Sequence, residues 1–357
     1  MKMQLTTLYD KVLAGIFLDP DEALVLYQQA STEALSELAN RIRYQKHSRK
    51  EVSWFVERNI NISNVCISGC LFCNFHCRKH EYSKQFETNM AAYRQKIDEL
   101  YALGGRRILL QGGLHPDWGI DYYENLFHAL KSYAPELRLH ALGPPEIAHI
   151  ARLSSLTYRE TLVRLMAAGL DYLPGAGAEI LCDDVRKMLS PGKPGAQAWL
   201  DVMREAHKLG LPSSATMVFG HIETEAQRIA HILAIRDLQA AKPEGMHGFV
   251  SFICWPMQFT DTALLARFPQ LQTVSSEGYI RTLALSRILL PNIEHIQASW
   301  LTVGIPTAQA CLHAGADDMG SIMIEEHVVS AAGSRNSLDA TRMQEVIKEA
   351  GFAPVQR

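Results

Sequence analysis

The chain has 357 residues, of which 47% are hydrophobic and 20% charged, and its 35 basic against 38 acidic residues give a formal net charge of -3. This apolar content excludes a disordered or fibrous protein, and the near-neutral charge argues against a general binder of nucleic acid or of an anionic membrane. No apolar stretch approaches the roughly 18 residues of a membrane span, and the N-terminus lacks the order of a signal peptide. We therefore expect a cytoplasmic protein that binds neither nucleic acid nor membrane.

The first 57 residues are predicted to be mainly helical, with Asp19-Pro20-Asp21 opening one helix and Ser31 capping another. After them, short apolar runs typical of β-strands alternate with segments of helical period. Eight strands are predicted, at residues 59–63, 107–111, 137–142, 170–174, 213–219, 248–254, 295–300 and 318–324. Helices are predicted between them, among them 91–103, 122–133, 196–209, 225–240 and 276–290.

This alternation predicts the fold class. Strands that alternate with helices pair in parallel through right-handed crossovers. Eight of them favour closure into a (β/α)8 TIM barrel, which is an α/β fold, over an open doubly wound sheet. We therefore predict a barrel at residues 58–333, an N-terminal helical extension packed on it at 1–57, and a short C-terminal helical tail at 334–357.

Residues that carry chemistry recur just after the predicted strands, in segments such as CISGCLFC, GGLHP, GPPE, GAGAE and GHIE. Glycine and proline are common in any loop, but this explains the cysteines, histidines and glutamates of these segments less well. In a (β/α)8 barrel, all the loops that follow strands lie on one face, where active sites are found. We therefore expect the functional site on that face.

The cysteines indicate a metal rather than disulfides. The chain has 7 of them, an odd number, and four fall between Cys66 and Cys77. A disulfide framework is instead typical of an even set in a short secreted chain. Thiolates bind zinc, copper(I) or iron–sulfur clusters. A zinc site usually unites two paired half-sites, and a second pair is absent from the sequence, although Cys77, His76 or His80 could complete a local zinc site.

Cys66, Cys70 and Cys73 form the pattern C-x3-C-x2-C, with Phe72 just before the last cysteine. Three thiolates can bind three irons of a [4Fe–4S] cluster and leave the fourth iron open. The pattern resembles that of the radical S-adenosylmethionine (SAM) superfamily. The resemblance implies that the open iron binds SAM beside Phe72, and that one electron cleaves SAM to a 5′-deoxyadenosyl radical. A fourth thiolate would block that iron, so Cys77 is not expected to be a ligand.

The same resemblance implies further cofactor contacts. Gly112 and Gly113 match the glycine-rich segment that meets the methionyl amino group of SAM through backbone atoms, since glycine permits a close approach. His115 is expected as a polar contact or as a turn residue. Glu179 is expected to accept from the ribose hydroxyls or the ammonium group of SAM. Arg186, two helical turns later, is a candidate for the methionyl carboxylate.

Six segments resemble, in order, one family of this superfamily, and they are 59–66, 140–147, 174–180, 215–223, 296–300 and 323–333. It is the dehypoxanthine futalosine cyclase family, of the futalosine route to menaquinone. Two sister enzymes share the barrel and the cysteine loop, and they stay open as alternatives: aminofutalosine synthase and the radical subunit that makes the deazaflavin of coenzyme F420. A non-catalytic barrel that binds zinc or a cluster is the alternative from a different class.

The family's reaction implies a small nucleoside-derived substrate, dehypoxanthine futalosine, and a flavodoxin or ferredoxin as electron donor. The 5′-deoxyadenosyl radical takes hydrogen from C4′ of the ribose, and the carbon radical adds to the benzoyl ring. Loss of one electron and one proton restores aromaticity, so a general base is needed, and the candidates are His221, Glu223 and Glu326. Other polar residues after strands are candidates for substrate contacts: His140, Glu146, Gln258, Ser299, Thr302, Glu325 and His327.

Overall fold

A computed structural model describes residues 4–47, 49–325, 333 and 336–357 of the chain. Three helices come first, α1 (Leu5–Leu13), α2 (Pro20–Gln29) and α3 (Thr32–Lys46). The two predicted helix starts are confirmed. Asp19 caps α2 and accepts from Glu22 N at 2.8 Å, and Ser31 caps α3 and accepts from Ala34 N at 3.2 Å.

The strands are β1 (Glu51–Phe55), β2 (Glu57–Asn61), β3 (Arg107–Gln111), β4 (Arg138–Ala141), β5 (Leu170–Tyr172), β6 (Ser213–Phe219), β7 (Phe249–Pro256), β8 (His295–Gln297), β9 (Asp318–Ser321) and β10 (Ala353–Gln356). The helices among and after them are α4 (Met90–Ala102), α5 (Ile120–Tyr133), α6 (Pro144–Ser154), α7 (Tyr158–Ala168), α8 (Asp183–Leu189), α9 (Ala196–Lys208), α10 (Glu225–Ala240), α11 (Ala263–Arg267), α12 (Ser276–Leu289), α13 (Trp300–Val303), α14 (Ile305–Leu312) and α15 (Ala340–Glu349). A 3-10 helix lies at Tyr82–Lys84.

The strands close into a ring. One sheet contains β2 to β5 in chain order, and the other contains β6 to β9 followed by β1 and β10. The bridges Leu173–Ser213 and Arg58–Ile324 join the two sheets at both seams, and both bridges are parallel. Because only Val56 separates β1 from β2, these two strands are the halves of one bent barrel strand. The predicted (β/α)8 barrel is therefore confirmed.

Two strands lie where helix was predicted. β1 falls within the N-terminal segment, where its alternate residues Val52 and Trp54 are buried and its backbone pairs with β9. β10 falls within the C-terminal tail and pairs in parallel with β1, with Glu51 opposite Ala353. Helix α15 ends before Gly351, whose φ of 83° is the left-handed conformation that commonly ends helices. Pairing partners distant in sequence therefore determine both strands.

Successive residues of β2 and β3 face alternately outward to the helices and inward to the barrel interior. In β3, Ile108 and Leu110 are fully buried against the helices. Arg58 of β2 also faces outward, because it pairs with Glu99 of α4. Glu57, the residue before Arg58, faces the barrel interior, where Arg107 of β3 lies 2.6 Å from its carboxylate.

The N-terminal helices pack on the outside of the barrel, α2 against α10 and α3 against α12. Arg43 of α3 is fully buried there, and it donates to Ala316 O at 3.0 Å and to Glu51 O at 2.8 Å. These bonds fasten the helices to the edge of the barrel. Over the described ranges, none of the helices has the length and apolarity that crossing a bilayer requires.

Candidate active site at the C-terminal ends of the barrel strands

The cysteine loop follows β2 at the end of the barrel where active sites of this fold lie. Its backbone is fixed at two points. Cys66 N donates to Cys77 O at 3.0 Å, and Leu71 N donates to Leu189 O at 2.8 Å at the end of α8. The loop after β2 is thus bound to the element that follows β5.

The sulfur atoms of Cys66 and Cys70 both lie beside one hydroxyl group. Ser68 Oγ is 2.9 Å from Cys66 Sγ and 3.3 Å from Cys70 Sγ, and Leu114 N donates to Cys66 Sγ at 3.2 Å. Both thiols are buried, and burial raises the pKa of Cys70. The surrounding donors would stabilise thiolate ligands once a metal cluster replaces the protons.

Cys73 is half-buried and has a different environment. Burial acts to raise the pKa of Cys73, but hydrogen bonds from the His76 side chain and from the backbone of Phe75 and His76 outweigh it and lower this pKa. His76 is thereby placed beside a cysteine of the loop, and its Nδ1 lies 2.8 Å from Cys73 O.

The spacing of the three sulfurs does not suit a single zinc ion. Zinc with Zn–S bonds of about 2.3 Å would hold its sulfurs about 3.8 Å apart. Within the described part of the chain, the one group of three His, Cys, Asp or Glu side chains whose ligand atoms lie within 4.8 Å of one another is elsewhere, at His47, His295 and Asp317. Sulfurs spread more widely fit ligands to separate irons of one cluster.

The glycines after β3 allow the cysteine loop to approach. A Cβ atom on Gly113 would lie 2.2 Å from Val65 O and 2.7 Å from Cys66 Cβ, so any other residue would push the loop away. Gly112 N donates to the carboxylate of Glu146 at 3.2 Å. The two predicted glycines therefore lie directly against the cysteine loop.

His115 is buried beside this segment. Its ring stacks on Trp118 with the ring centroids 3.9 Å apart, and its carbonyl oxygen lies 2.8 Å from His149 Nε2. Burial lowers the pKa of His115, so the ring is neutral at pH 7. These contacts are those of an ordered turn residue, one of the two roles predicted for it.

Glu179 forms a buried ion pair that the sequence analysis missed. Lys193 Nζ lies 2.5 Å from Glu179 Oε1, and it lies 5.6 Å from the ring centroid of Phe72. Burial acts against both charges, but Lys193 and Arg186 together lower the pKa of Glu179, and Cys70 and Glu179 raise the pKa of Lys193. The pair therefore keeps both charges beside the cysteine loop.

Arg186 is buried, and backbone carbonyls occupy its guanidinium. It donates to Ala178 O at 2.5 Å, to Gly177 O at 3.2 Å and to Pro194 O at 2.7 Å. Arg186 thus joins the loop that carries Glu179 to the loop that carries Lys193. The methionyl carboxylate stays a prediction for this residue.

Glu146 lies in the first turn of α6, after β4, and its side chain points to the same group of loops. It accepts from Gly112 N, and burial raises the pKa of Glu146 to about 7. A buried carboxyl group that titrates near neutrality can exchange a proton at physiological pH. His140, from the same segment, lies deeper in the barrel, with its Nδ1 3.0 Å from Glu57 Oε1.

His221 and Glu223, two of the predicted bases, contact each other, and Glu223 also binds backbone N–H groups of the loop after β6. Glu223 accepts from Gly220 N at 2.7 Å and His221 N at 2.9 Å, and Arg228 Nη2 lies 2.7 Å from its Oε1. Burial opposes the charge, but His221 and Arg228 lower the pKa of Glu223 to about 2. The third candidate, Glu326, lies outside the described residues, as does His327.

Sequence reasoning therefore missed Lys193 and Ser68. Lys193 stands in Gly192-Lys193-Pro194-Gly195, and a Cβ atom on Gly192 would lie 2.7 Å from Ser68 Cα. The sequence signal that could have pointed to Lys193 is its position between two glycines after a helix, since glycines often mark the close approach of two backbones.

Comparison with known proteins agrees with this geometry. The family model described as the radical SAM superfamily matches residues 60–235, and the chain is an enzyme of that superfamily. The model described as the CofH/MqnC C-terminal region matches residues 246–357. The chain belongs to this CofH/MqnC group, because two cyclic dehypoxanthine futalosine synthases align with 99–100% of it at 34–40% identity.

Two such relatives and one solved structure illustrate the similarity. The cyclic dehypoxanthine futalosine synthase of Streptomyces coelicolor is 40% identical, over 100% of this chain and 88% of the relative. The aminodeoxyfutalosine synthase of Thermus thermophilus is 35% identical, over 99% of this chain and 94% of the relative. The crystal structure of methylornithine synthase has a TM-score of 0.69 at 18% identity, over 98% of this chain and 97% of that one, and shows the fold alone.

Proposed function

We propose that this enzyme converts dehypoxanthine futalosine to its cyclic product in the futalosine route to menaquinone. The observation that carries the proposal is the gathering of three cysteine thiols with the Glu179–Lys193 pair at the C-terminal ends of the strands. The full-length similarity to the synthase of Streptomyces coelicolor supports this substrate.

Cys66, Cys70 and Cys73 would hold a [4Fe–4S] cluster, with SAM at its open iron. When bound, these groups supply the 5′-deoxyadenosyl radical that starts the reaction. The exposed side chain of Ile67, one residue after Cys66, makes this loop accessible to a flavodoxin or ferredoxin that delivers the electron.

The chain's own residues bind, orient and move a proton. Glu179 and Lys193 offer an acceptor and a donor to the polar groups of SAM, and their pairing fixes both side chains before SAM arrives. Glu146 accepts the proton that is lost when the benzoyl ring regains aromaticity. A carboxyl group of pKa about 7 suits this role better than Glu223, whose pKa of about 2 makes it a weak base.

The test is an anaerobic assay of the reconstituted enzyme with dehypoxanthine futalosine, SAM and a reductant. We expect 5′-deoxyadenosine and the cyclic product, and their absence from the reaction would overturn the proposal. Cys66→Ser should abolish both products and lower the iron content. Cys182→Ser is the matched control, because this half-buried cysteine is the N-cap of α8 and should leave both unchanged.

The similarity to aminodeoxyfutalosine synthase favours a second candidate, a sister reaction on the enolpyruvyl benzoate ether. The same enzyme preparation distinguishes the two. Product from the ether, with none from dehypoxanthine futalosine, would reassign the substrate and keep the radical chemistry.

A further inference from the structure

A second group of potential metal ligands lies at the other end of the barrel. His47 is the C-cap of α3, His295 is the first residue of β8, and Asp317 immediately precedes β9. The cysteine loop follows the C-terminal end of β2, whereas this group gathers where strands begin. The length of the barrel therefore separates the two groups.

The ligand atoms of these three side chains all lie within 4.8 Å of one another. Asp317 Oδ2 lies 3.1 Å from His47 Nε2 and 2.5 Å from His295 Nδ1. The carboxylate of Glu294 lies beside this group, with its Oε1 3.5 Å from His47 Nε2 and its Oε2 3.7 Å from Lys46 Nζ. Ligands at about 2.0–2.1 Å from a tetrahedral metal are about 3.3 Å from one another, so the His47 distance already fits and His295 would move slightly away from Asp317 to admit a metal.

The carboxylate of Asp317 is oriented for such a role. The buried guanidinium of Arg287 pairs with Oδ1, and Ile296 N donates to the same oxygen at 2.9 Å. Oδ2 is therefore the oxygen that faces both histidines, and His47 Nε2 also lies 3.2 Å from Glu294 O. A ligand carboxylate that is fixed by partners on its second oxygen is the outer-shell support that metal sites use.

We propose that His47, His295 and Asp317 bind a divalent transition metal. Imidazole nitrogens and carboxylate oxygens make Zn²⁺ the best match. The metal would join the end of α3 to β8 and β9, and it would stabilise the contact of the N-terminal helices with the barrel. This site is independent of the proposed reaction.

The alternative is that protons alone join the two imidazoles to Asp317, with no affinity for metal. A spectroscopic titration with Co²⁺ separates the two cases. The full chain with Cys66, Cys70 and Cys73 replaced by serine removes the competing thiols. We expect one equivalent of Co²⁺ to give the absorption of a tetrahedral ion without a thiolate charge-transfer band.

Single-residue variants test whether the bound Co²⁺ lies at His47, His295 and Asp317. His47→Ala and His295→Ala should each weaken Co²⁺ binding at least about tenfold, which is the smallest loss typical of even outer-shell changes. His128→Ala is the matched control, because His128 is exposed on α5 and should leave binding unchanged. Equal affinity in all three variants, or no saturable binding, would overturn the proposal.

The cluster-loaded enzyme gives a second readout that does not depend on the cysteine variants. Equilibrium dialysis against Zn²⁺, with elemental analysis, should find one zinc per chain besides the iron. Zn²⁺ should raise the melting temperature of the enzyme and of its His128→Ala variant, but not that of His47→Ala. An equal rise in both variants would contradict the assignment.

Discussion

Two barrel strands are followed by the same Gly-x-x-Glu spacing, and the two glutamates end in opposite electrostatic states. Glu146, after β4, has its pKa raised to about 7 by burial. Glu223, after β6, is also buried, yet His221 and Arg228 outweigh burial and lower its pKa to about 2. The difference lies in the donors, since Glu146 accepts from Gly112 N whereas Arg228 and two backbone N–H groups meet Glu223.

Of the two carboxylates, Glu146 is the one available for chemistry. Glu223 uses its oxygens to hold the loop after β6, so its negative charge is a structural element. Among the described residues, Glu146 has no hydrogen-bonded cation, so its proton can leave or return at little cost near neutral pH. Glu179 is intermediate, because Lys193 keeps it charged beside the cysteine loop.

The largest expected effect is that of Glu146→Gln on turnover. If Glu146 accepts the final proton, loss of its carboxylate should lower formation of the cyclic product about 10²- to 10⁴-fold. Cleavage of SAM to 5′-deoxyadenosine should continue, because that step precedes the proton transfer. Chromatography of both products checks this, and an unchanged yield of cyclic product would remove Glu146 from the reaction.

Glu223→Ala should act on stability instead. The variant leaves the Arg228 guanidinium, whose side chain is 13% exposed, without its carboxylate partner. Breaking such a pair lowers the free energy of unfolding by about 3–5 kcal/mol. Denaturant titration measures it, with Glu244→Ala as control, because Glu244 is an exposed glutamate in the turn between α10 and β7. A variant that stays as stable as the control but loses cyclisation would show that Glu223 is the base after all.

The two glutamates should also respond oppositely to pH. The pKa of Glu146 rises on folding from an ordinary 4.5 to about 7, so its contribution to stability is complete below 4.5 and is lost as pH rises through 7. The loss is roughly 3 kcal/mol at 1.36 kcal/mol per pKa difference of one. The lowered pKa of Glu223 acts in reverse, since its contribution is complete above 4.5 and is lost as pH falls through about 2.

Denaturant titrations of the parent chain between pH 4.5 and pH 7 should show the slope that Glu146 causes. Glu146→Gln should flatten this slope, because glutamine does not titrate. Glu244→Gln should retain it, since Glu244 is an exposed carboxylate in the turn after α10. Equal slopes in the two variants would mean that another group causes the pH dependence.

Much of this architecture could be predicted from sequence, for local reasons. Apolar runs alternate with segments of helical period, and glutamates, glycines and cysteines follow the predicted strands. The barrel and its functional face could therefore be predicted. The opposite pKa shifts of Glu146 and Glu223 could not be predicted, because both residues stand in the same Gly-x-x-Glu motif. The difference depends on which hydrogen-bond donors the fold places beside each carboxylate. Lys193 was hidden for the same reason, since it lies 14 residues from its partner Glu179.

The smallest expected effect concerns the contact between Lys193 and Phe72. The ring lies 5.6 Å from the ammonium group, and such a cation–π contact contributes about 0.5–1 kcal/mol. Phe72→Leu should therefore raise the KM for SAM about two- to fivefold and leave kcat nearly unchanged, if the ring helps to hold Lys193 beside Glu179. Phe75→Leu is the matched control, because Phe75 lies in the same loop but packs on Phe86. A drop in kcat without a change in KM would place Phe72 in the chemistry instead of in SAM binding.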